Sequence, residues 1–315
     1  MNIITVVYST DYNYLRYTIV SAFSLLTNLK EGVFCEIIFL VPENMPNCTE
    51  AIIRDTLQDF SNCSIRLIRM GDEFHNAALL IKHITTPTYY RLLLPELLPE
   101  TKRCVYLDGD TIVSGDISEL YDYDLRGQWI GGAKGLAFYK HERYTRKRLS
   151  YNCNQPFLYI NAGVLLLDLD QLRRNSVSKR MLESISKNYA VQDQDIINVC
   201  CMGKIEPLPM FFNAMTKYIS CSFWSVSRFV SKSEYNRCVE KPVVIHFADR
   251  TKPWTDASIP FAEKWYEYAL APSCWRLFDN ESRPLLLSVI RRNTKVFKKC
   301  LFYWTRRRNR QFPFS

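Results

Sequence analysis

Arg103-Cys104-Val105-Tyr106-Leu107-Asp108-Gly109-Asp110 is the stretch on which the reading of this chain turns. A short apolar run opens after a charged residue and closes on two acids around a glycine, which predicts a buried strand that ends in an acidic turn. In open α/β sheets the ligand crevice lies at the carboxyl ends of the strands, so Asp108 and Asp110 would stand at its edge. Two carboxylates so close repel unless a cation sits between them. A hard divalent ion that keeps positions open for phosphate oxygens would serve. A solvated acidic turn has the same local sequence, so the rest of the chain must decide.

Working outward, residues 3–8, 36–41 and 65–70 predict three further strands, separated by helical patterns over 14–29 and from Asn47 or Thr49 to about residue 60. That alternation is the mark of βαβ units around a parallel sheet. Downstream, 129–133, 164–169 and 243–247 predict strands, and 172–186 and 194–202 predict helices; no internal repeat is visible.

The 315 residues carry 47% hydrophobic and 23% charged side chains, which excludes wholesale disorder, collagen and coiled coil. The 41 Lys and Arg against 32 Asp and Glu give +9, but residues 283–315 hold ten of the basic residues and no acidic one. The remainder is 31 basic against 32 acidic residues, or −1. A neutral body argues against a nucleic-acid binder, so no nucleic-acid partner is expected, although the basic tail alone would suit one. Eleven scattered cysteines without a C-x-x-C pair suggest reduced thiols rather than zinc or a disulfide scaffold. The N-terminus lacks a basic, apolar leader and no run of 18 apolar residues occurs, so neither a signal peptide nor a transmembrane helix is expected.

Four further motifs give the acid pair its context. They are Thr88-Tyr89-Tyr90-Arg91-Leu92 with Pro95 and Pro99, Tyr159-Ile160-Asn161-Ala162-Gly163-Val164, Gln192-Asp193-Gln194-Asp195, and His246-Phe247-Ala248-Asp249-Arg250-Thr251-Lys252-Pro253-Trp254. With Asp108-Gly109-Asp110, in this order and spacing, the chain resembles glycosyltransferase family eight from about residue 2 to 254, in particular the bacterial lipopolysaccharide galactosyl- and glucosyltransferases. The resemblance implies an α/β fold, a Rossmann-like nucleotide-sugar domain of the GT-A type with a mixed sheet and flanking helices. It implies transfer of a hexose from UDP-galactose or UDP-glucose to a saccharide or glycolipid acceptor, with retention at the anomeric carbon.

Carried over residue by residue, the resemblance makes Asp108, Asp110 and His246 the metal ligands and Lys252 the diphosphate-binding lysine. One imidazole beside two carboxylates suits Mn²⁺, with Mg²⁺ as the alternative. Without the motif, His246 reads more readily as a satisfied core or rim residue and Lys252 as a surface lysine. Uridine falls on Ser9, Asp11, Asn13 and Tyr14 just after the first strand, with Tyr14 able to stack on the base; Asp11 or Asn13 could equally cap the following helix. Arg91, Asn161, Ala162 and Gly109 line the donor, and His83 the acceptor side. Asp193 and Gln194 become the catalytic pair nearest the anomeric carbon, while Asp195 reads as an ordinary acidic helix start.

Two positions depart from the family pattern. Asp249 stands where a glycine would approach the diphosphate, and Gly135 where galactosyl members tend to carry an acid. There is no G-x-G-x-x-G after the first strand, which argues against a dinucleotide enzyme, and no G-x-x-x-x-G-K-[ST] loop, so metal and side chains would have to hold phosphate; the rival reading as a metal-dependent nucleotidyltransferase would want a basic or Gly-rich loop after the first strand, and Ser9 to Tyr14 offers neither. The composition changes at about residue 282, dividing a catalytic domain (1–282) from a basic, aromatic tail (283–315). From Leu286, residues Val289, Ile290, Val296, Phe297, Cys300, Leu301 and Trp304 share one helical face opposite Arg291, Arg292, Lys295, Lys298 and Lys299, the pattern of an interfacial helix. The expectation is a cytoplasmic protein held peripherally on the inner face of the cell membrane by its anionic surface.

Overall fold

The computed structural model describes residues 2–71, 74, 86–150, 156–187, 189–293 and 298. Ten strands are present among them: β1 (Asn2–Ser9), β2 (Val33–Pro42), β3 (Cys63–Met70), β4 (Arg103–Leu107), β5 (Thr111–Val113), β6 (Ile130–Lys134), β7 (Ile160–Asp168), β8 (Ile205–Leu208), β9 (Ala214–Met215) and β10 (Val244–His246). Seven form one mixed sheet in the order β3-β2-β1-β4-β7-β6-β8, and three form a small sheet in the order β5-β10-β9. β3, β2, β1 and β4 run parallel, as the βαβ pattern predicts, and β7 turns the sheet antiparallel on both of its sides.

Strand alternation builds a core on each face of the large sheet. Ile4, Val6 and Tyr8 of β1 pack with Leu15, Ile19, Ala22, Phe23 and Leu26 of the helix Leu15–Asn28, which are the apolar positions of its predicted face. Val7 points to the other face, with Ile38, Tyr106 and Leu165. β1 has β2 on one side and β4 on the other, so the strand order reverses between β1 and β4. Such a reversal opens a crevice at the carboxyl ends of those strands. The loops after Ser9 and Leu107 meet there.

Several boundaries differ from the sequence reading. β7 starts at Ile160 rather than at residue 164, because Asn161, Ala162 and Gly163 extend the strand along β6, with Lys134 opposite Ile160 past an irregular register. The helix expected over 172–186 is two helices, Leu169–Arg174 and Val177–Ser184. Asp168 caps the first by accepting from the Gln171 amide, and Ser176 breaks the run with φ 50°. The helix expected from residue 194 begins at Gln192. β5, β8 and β9 were not foreseen; they are two to four residues long, too short for periodicity to register.

The helix Ser282–Arg292 opens the expected tail, and Leu286 and Ile290 are buried in the core while Leu287 and Val289 pack against it. That corrects the expected lipid-facing role of Leu286, Val289 and Ile290. Their apolar face finds protein to cover it. Of the rest of the tail only Asn293 and Lys298 belong to the described residues. No helix among the described residues is long and apolar enough to cross a membrane.

Candidate active site

Asp108 follows β4 and Asp110 precedes β5, whose Thr111 lies opposite His246 of β10 in the antiparallel register. That pairing brings a distant histidine to the acid turn, and the Phe247 amide donates to Asp110 O at 3.0 Å to fix the approach. His246 Nε2 lies 3.3 Å from Asp110 Oδ1 and 3.8 Å from Asp108 Oδ2. Side-chain exposure falls from 29% at Asp108 to 12% at Asp110 and 2% at His246, so the cluster opens toward the crevice on its Asp108 side.

The donor set fits a divalent cation. One ligand atom from each of the three residues falls within 4.8 Å of the others. Asp110 Oδ1 is buried and accepts no hydrogen bond, while it faces an imidazole nitrogen. A buried carboxylate oxygen without a donor is costly unless a cation fills the place. Burial by itself would raise the Asp110 carboxyl, but the Lys252 ammonium holds it well below the usual carboxylate range. Lys252 Nζ reaches both Asp110 Oδ2 and Phe247 O at 2.6 Å.

Two glycines make room for this cluster. A Cβ on Gly163 would lie 2.2 Å from His246 Cε1 and 2.6 Å from Asp108 Oδ2. The close approach that Gly163 permits is therefore to the ligand side chains. At Gly109 a Cβ would meet Thr18 Oγ1 at 2.2 Å, so contact with the helix Leu15–Asn28, not a turn with positive φ, demands glycine there.

Arg91 lies under the acids rather than open to the crevice. Its Nη2 donates to Asp108 Oδ1 at 2.9 Å and to Thr88 Oγ1, its Nη1 to Ala162 O, and its Nε pairs with Asp193 Oδ2 at 3.1 Å. The guanidinium also stacks on Tyr106, 4.3 Å from the ring centroid. All three nitrogens are engaged, so Arg91 organises Asp108 and Asp193 for whatever they meet. Thr88, which the sequence offered only as part of a motif, donates its hydroxyl to Asp193 Oδ1 at 3.1 Å.

Burial pushes the Asp193 carboxyl up to about 6 against the pull of Arg91, and the Asp108 charge adds to the rise. Turnover should therefore fall as the pH drops through about 6, when Asp193 takes up a proton and its ion pair with Arg91 is lost. A pH–rate profile with no acidic limb near that value would contradict this. The folded chain binds that proton more tightly than the unfolded chain, whose Asp titrates near ~3.9. The stability this group contributes is thus fully present below about 4 and is lost as the pH rises through about 6.

The residues expected to meet the uridine divide. Ser9 ends β1, and Asp11 accepts from the Tyr14 amide at 2.9 Å, so it serves the turn into the helix. Tyr14 sets its ring edge-on to Trp254, 5.8 Å between centroids, and Trp254 stacks on Tyr17 at 3.8 Å. Such contacts contribute about 0.5–1.5 kcal/mol each and pin the Lys252-Pro253-Trp254 segment to the helix. Asp11, Asn13 and the exposed Tyr12 line a cleft of 650 Å³ with Pro42, Met70 and Thr86. Tyr12 and Tyr90 are the aromatics that line this cleft.

Asn161 and Gln194 are brought together: Asn161 Nδ2 and the Ala162 amide both donate to Gln194 Oε1, at 3.0 and 3.1 Å. Asp249 turns toward Lys217, with 3.5 Å between the charges, so the departure from glycine is compensated at the surface. Gly135 sits just before the helix Leu136–Lys140. His83 lies outside the described residues.

The glycosyl transferase family 8 model matches residues 5–258, which includes every one of these side chains. The chain belongs to that family. Relatives within it are distant. General stress protein A of Bacillus subtilis is 24% identical over 286 residues, 88% of this chain and 96% of that one. A lipopolysaccharide 1,2-glucosyltransferase of Escherichia coli is 30% identical over 195 residues, 60% of this chain and 55% of its own. Among solved structures, the galactosyltransferase LgtC in complex with donor and acceptor sugar analogues superposes with a TM-score of 0.71 at 26% identity, over 87% of this chain and 99% of that one. The family 8 chain described here is thus a glycosyltransferase with the GT-A mixed sheet, and its candidate metal triad lies at the reversal of strand order.

Proposed function

We propose that this enzyme transfers galactose or glucose from a UDP-sugar to a saccharide or glycolipid acceptor of the cell surface, with retention of the α configuration. The observation that carries the reading is the Asp108–Asp110–His246 cluster with the Lys252 ammonium beside it, at the mouth of the nucleotide crevice. The donor and acceptor sugar analogues in the LgtC complex support the two substrate classes. Bound by the two carboxylates and the imidazole, Mn²⁺, or Mg²⁺ in its place, supplies positive charge for a diphosphate.

This chain's own residues do the rest. Lys252, held beside Asp110, neutralises part of the charge that develops on the departing phosphate. Gln194 has its oxygen occupied by two N–H donors, which makes it a poor nucleophile and favours a front-face route. In that route the bond from the anomeric carbon to phosphate breaks and the bond to the acceptor oxygen forms on the same face. The acceptor proton passes to the leaving phosphate oxygen. Asp193 is engaged by Arg91 and Thr88, which favours it as an electrostatic partner of the charge developing at the sugar over its role as nucleophile. The test is consumption of UDP-hexose, and not of nucleoside triphosphates, with NMR of the new anomeric centre. A β-linked product from an α donor would overturn the route.

Membrane association is proposed for the part of the tail beyond Asn293, because the helix Ser282–Arg292 already spends its apolar face on the core. Truncation after Asn293 should abolish sedimentation with anionic vesicles and leave turnover on soluble acceptors intact. Near an anionic leaflet each basic residue contributes up to about 1 kcal/mol, so added salt should weaken binding of the full chain. Equal sedimentation of both forms would refute this role.

A further inference from the structure

One hydrogen-bonded chain of side chains runs from the candidate metal cluster to the buried carboxylate of Asp195. His246 Nδ1 lies 2.9 Å from Asn213 Oδ1, and Asn213 Nδ2 donates to Asn161 Oδ1 at 2.9 Å. Asn161 Nδ2 donates to Gln194 Oε1 at 3.0 Å, Gln194 Nε2 donates to the Tyr159 hydroxyl at 3.0 Å, and that hydroxyl donates to Asp195 Oδ1 at 2.6 Å. Asp195, Asn213 and Tyr159 are fully buried.

The direction of the chain is forced at three points by backbone donors, which cannot be reversed. The Gly163 amide donates to Asn161 Oδ1, the Ala162 amide to Gln194 Oε1 and the Val191 amide to Asp195 Oδ2. These fix which end of each amide is oxygen. Asp195, ion-paired with Arg148, is acceptor only. Every link therefore donates toward Asp195, and the last amide oxygen, on Asn213, faces the imidazole and requires a proton on Nδ1. With the proton there, the Nε2 lone pair faces Asp108 and Asp110.

We propose that Asp195, acting through Tyr159, Gln194, Asn161 and Asn213, sets the tautomer of His246, so that Asn213 and Tyr159 are positioning residues of the metal site. The proposal rests on the reading of that site as a metal site. A one-directional chain polarises each of its members, and the partner on the second nitrogen of a ligating histidine governs metal affinity by about 10–100-fold. The same chain couples the imidazole to Gln194. Asn161 and Gln194 are half-buried, and each keeps a second N–H that the chain does not use.

The test is the tautomer itself, read by ¹⁵N NMR of the metal-free full chain labelled at its four histidines, at a pH high enough that the ring carries a single proton, with His246→Gln to assign the signal. The wild type should show the Nδ1–H form. Asn213→Leu should abolish that preference and weaken Mn²⁺ binding at least about tenfold. Tyr159→Phe keeps shape and lies remote from the metal, so it reports without threatening the fold. It should shift the signal toward a mixture and raise the Mn²⁺ Kd about two- to threefold, below the range for direct partners. An Nε2–H form in the wild type, or a tautomer that Asn213→Leu leaves unchanged, would overturn the proposal. A Tyr159→Phe variant identical to wild type in both readouts would overturn the role of Asp195. If the wild type binds no Mn²⁺, the metal reading fails while the tautomer measurement still decides the chain.

Discussion

Asp110→Asn should lower turnover at least about 10²-fold, the loss typical of removing one preorganised charge stabiliser, and should abolish its dependence on Mn²⁺. The substitution keeps the shape of the side chain but removes the charge that faces Lys252 Nζ at 2.6 Å and His246 Nε2 at 3.3 Å. An amide nitrogen placed toward Lys252 meets an ammonium, and placed toward the cluster it meets the cation, so neither orientation restores the site. Turnover with a titration of Mn²⁺ is the measurement, beside wild type in EDTA. Activity that survives either the substitution or the chelator would remove the basis of the proposed chemistry.

Gly163→Ala is the second large effect, and it acts by volume alone. The added methyl would fall 2.2 Å from His246 Cε1 and 2.6 Å from Asp108 Oδ2, so one or both ligands must move. Gly163 is part of β7, and its carbonyl accepts from the Asp108 amide at 2.8 Å, which ties its backbone to the acid turn. The side chains must give way instead. Overpacking of this kind costs about 1–3 kcal/mol of stability, while displaced ligands should weaken Mn²⁺ binding by at least about 10²-fold, since both lose their geometry at once. Calorimetric titration with Mn²⁺ alongside thermal unfolding separates the two. A folded variant with wild-type metal affinity would contradict the close approach.

Much of the sheet and of the site was legible in the chain. The periodicity of residues 3–8 and 14–29 records which side chains are buried, and burial has the same period in the folded protein. Asp108, Asp110 and Lys252 were legible because short motifs carry chemistry in fixed order. Less local features were not. Asp195 in Gln192-Asp193-Gln194-Asp195 has the pattern of a helix start, and nothing beside it indicates that Arg148 and the Tyr159 hydroxyl converge on it. Asn213 follows Met210-Phe211-Phe212 with no motif around it, and only the pairing of β10 with β9 sets it beside His246.

The sequence by itself determined that an apolar strand ends in two acids, that βα units precede it, and that the basic charge collects at the end of the chain. Each of these is a local pattern, fixed by backbone geometry and by the preference of apolar faces for burial. The tertiary structure decided how His246 reaches the acids, which glycine admits it, which tyrosines line the cleft, and that the helix Ser282–Arg292 belongs to the core. Those outcomes depend on register between strands far apart in sequence and on close packing, where a displacement of one methyl changes the result.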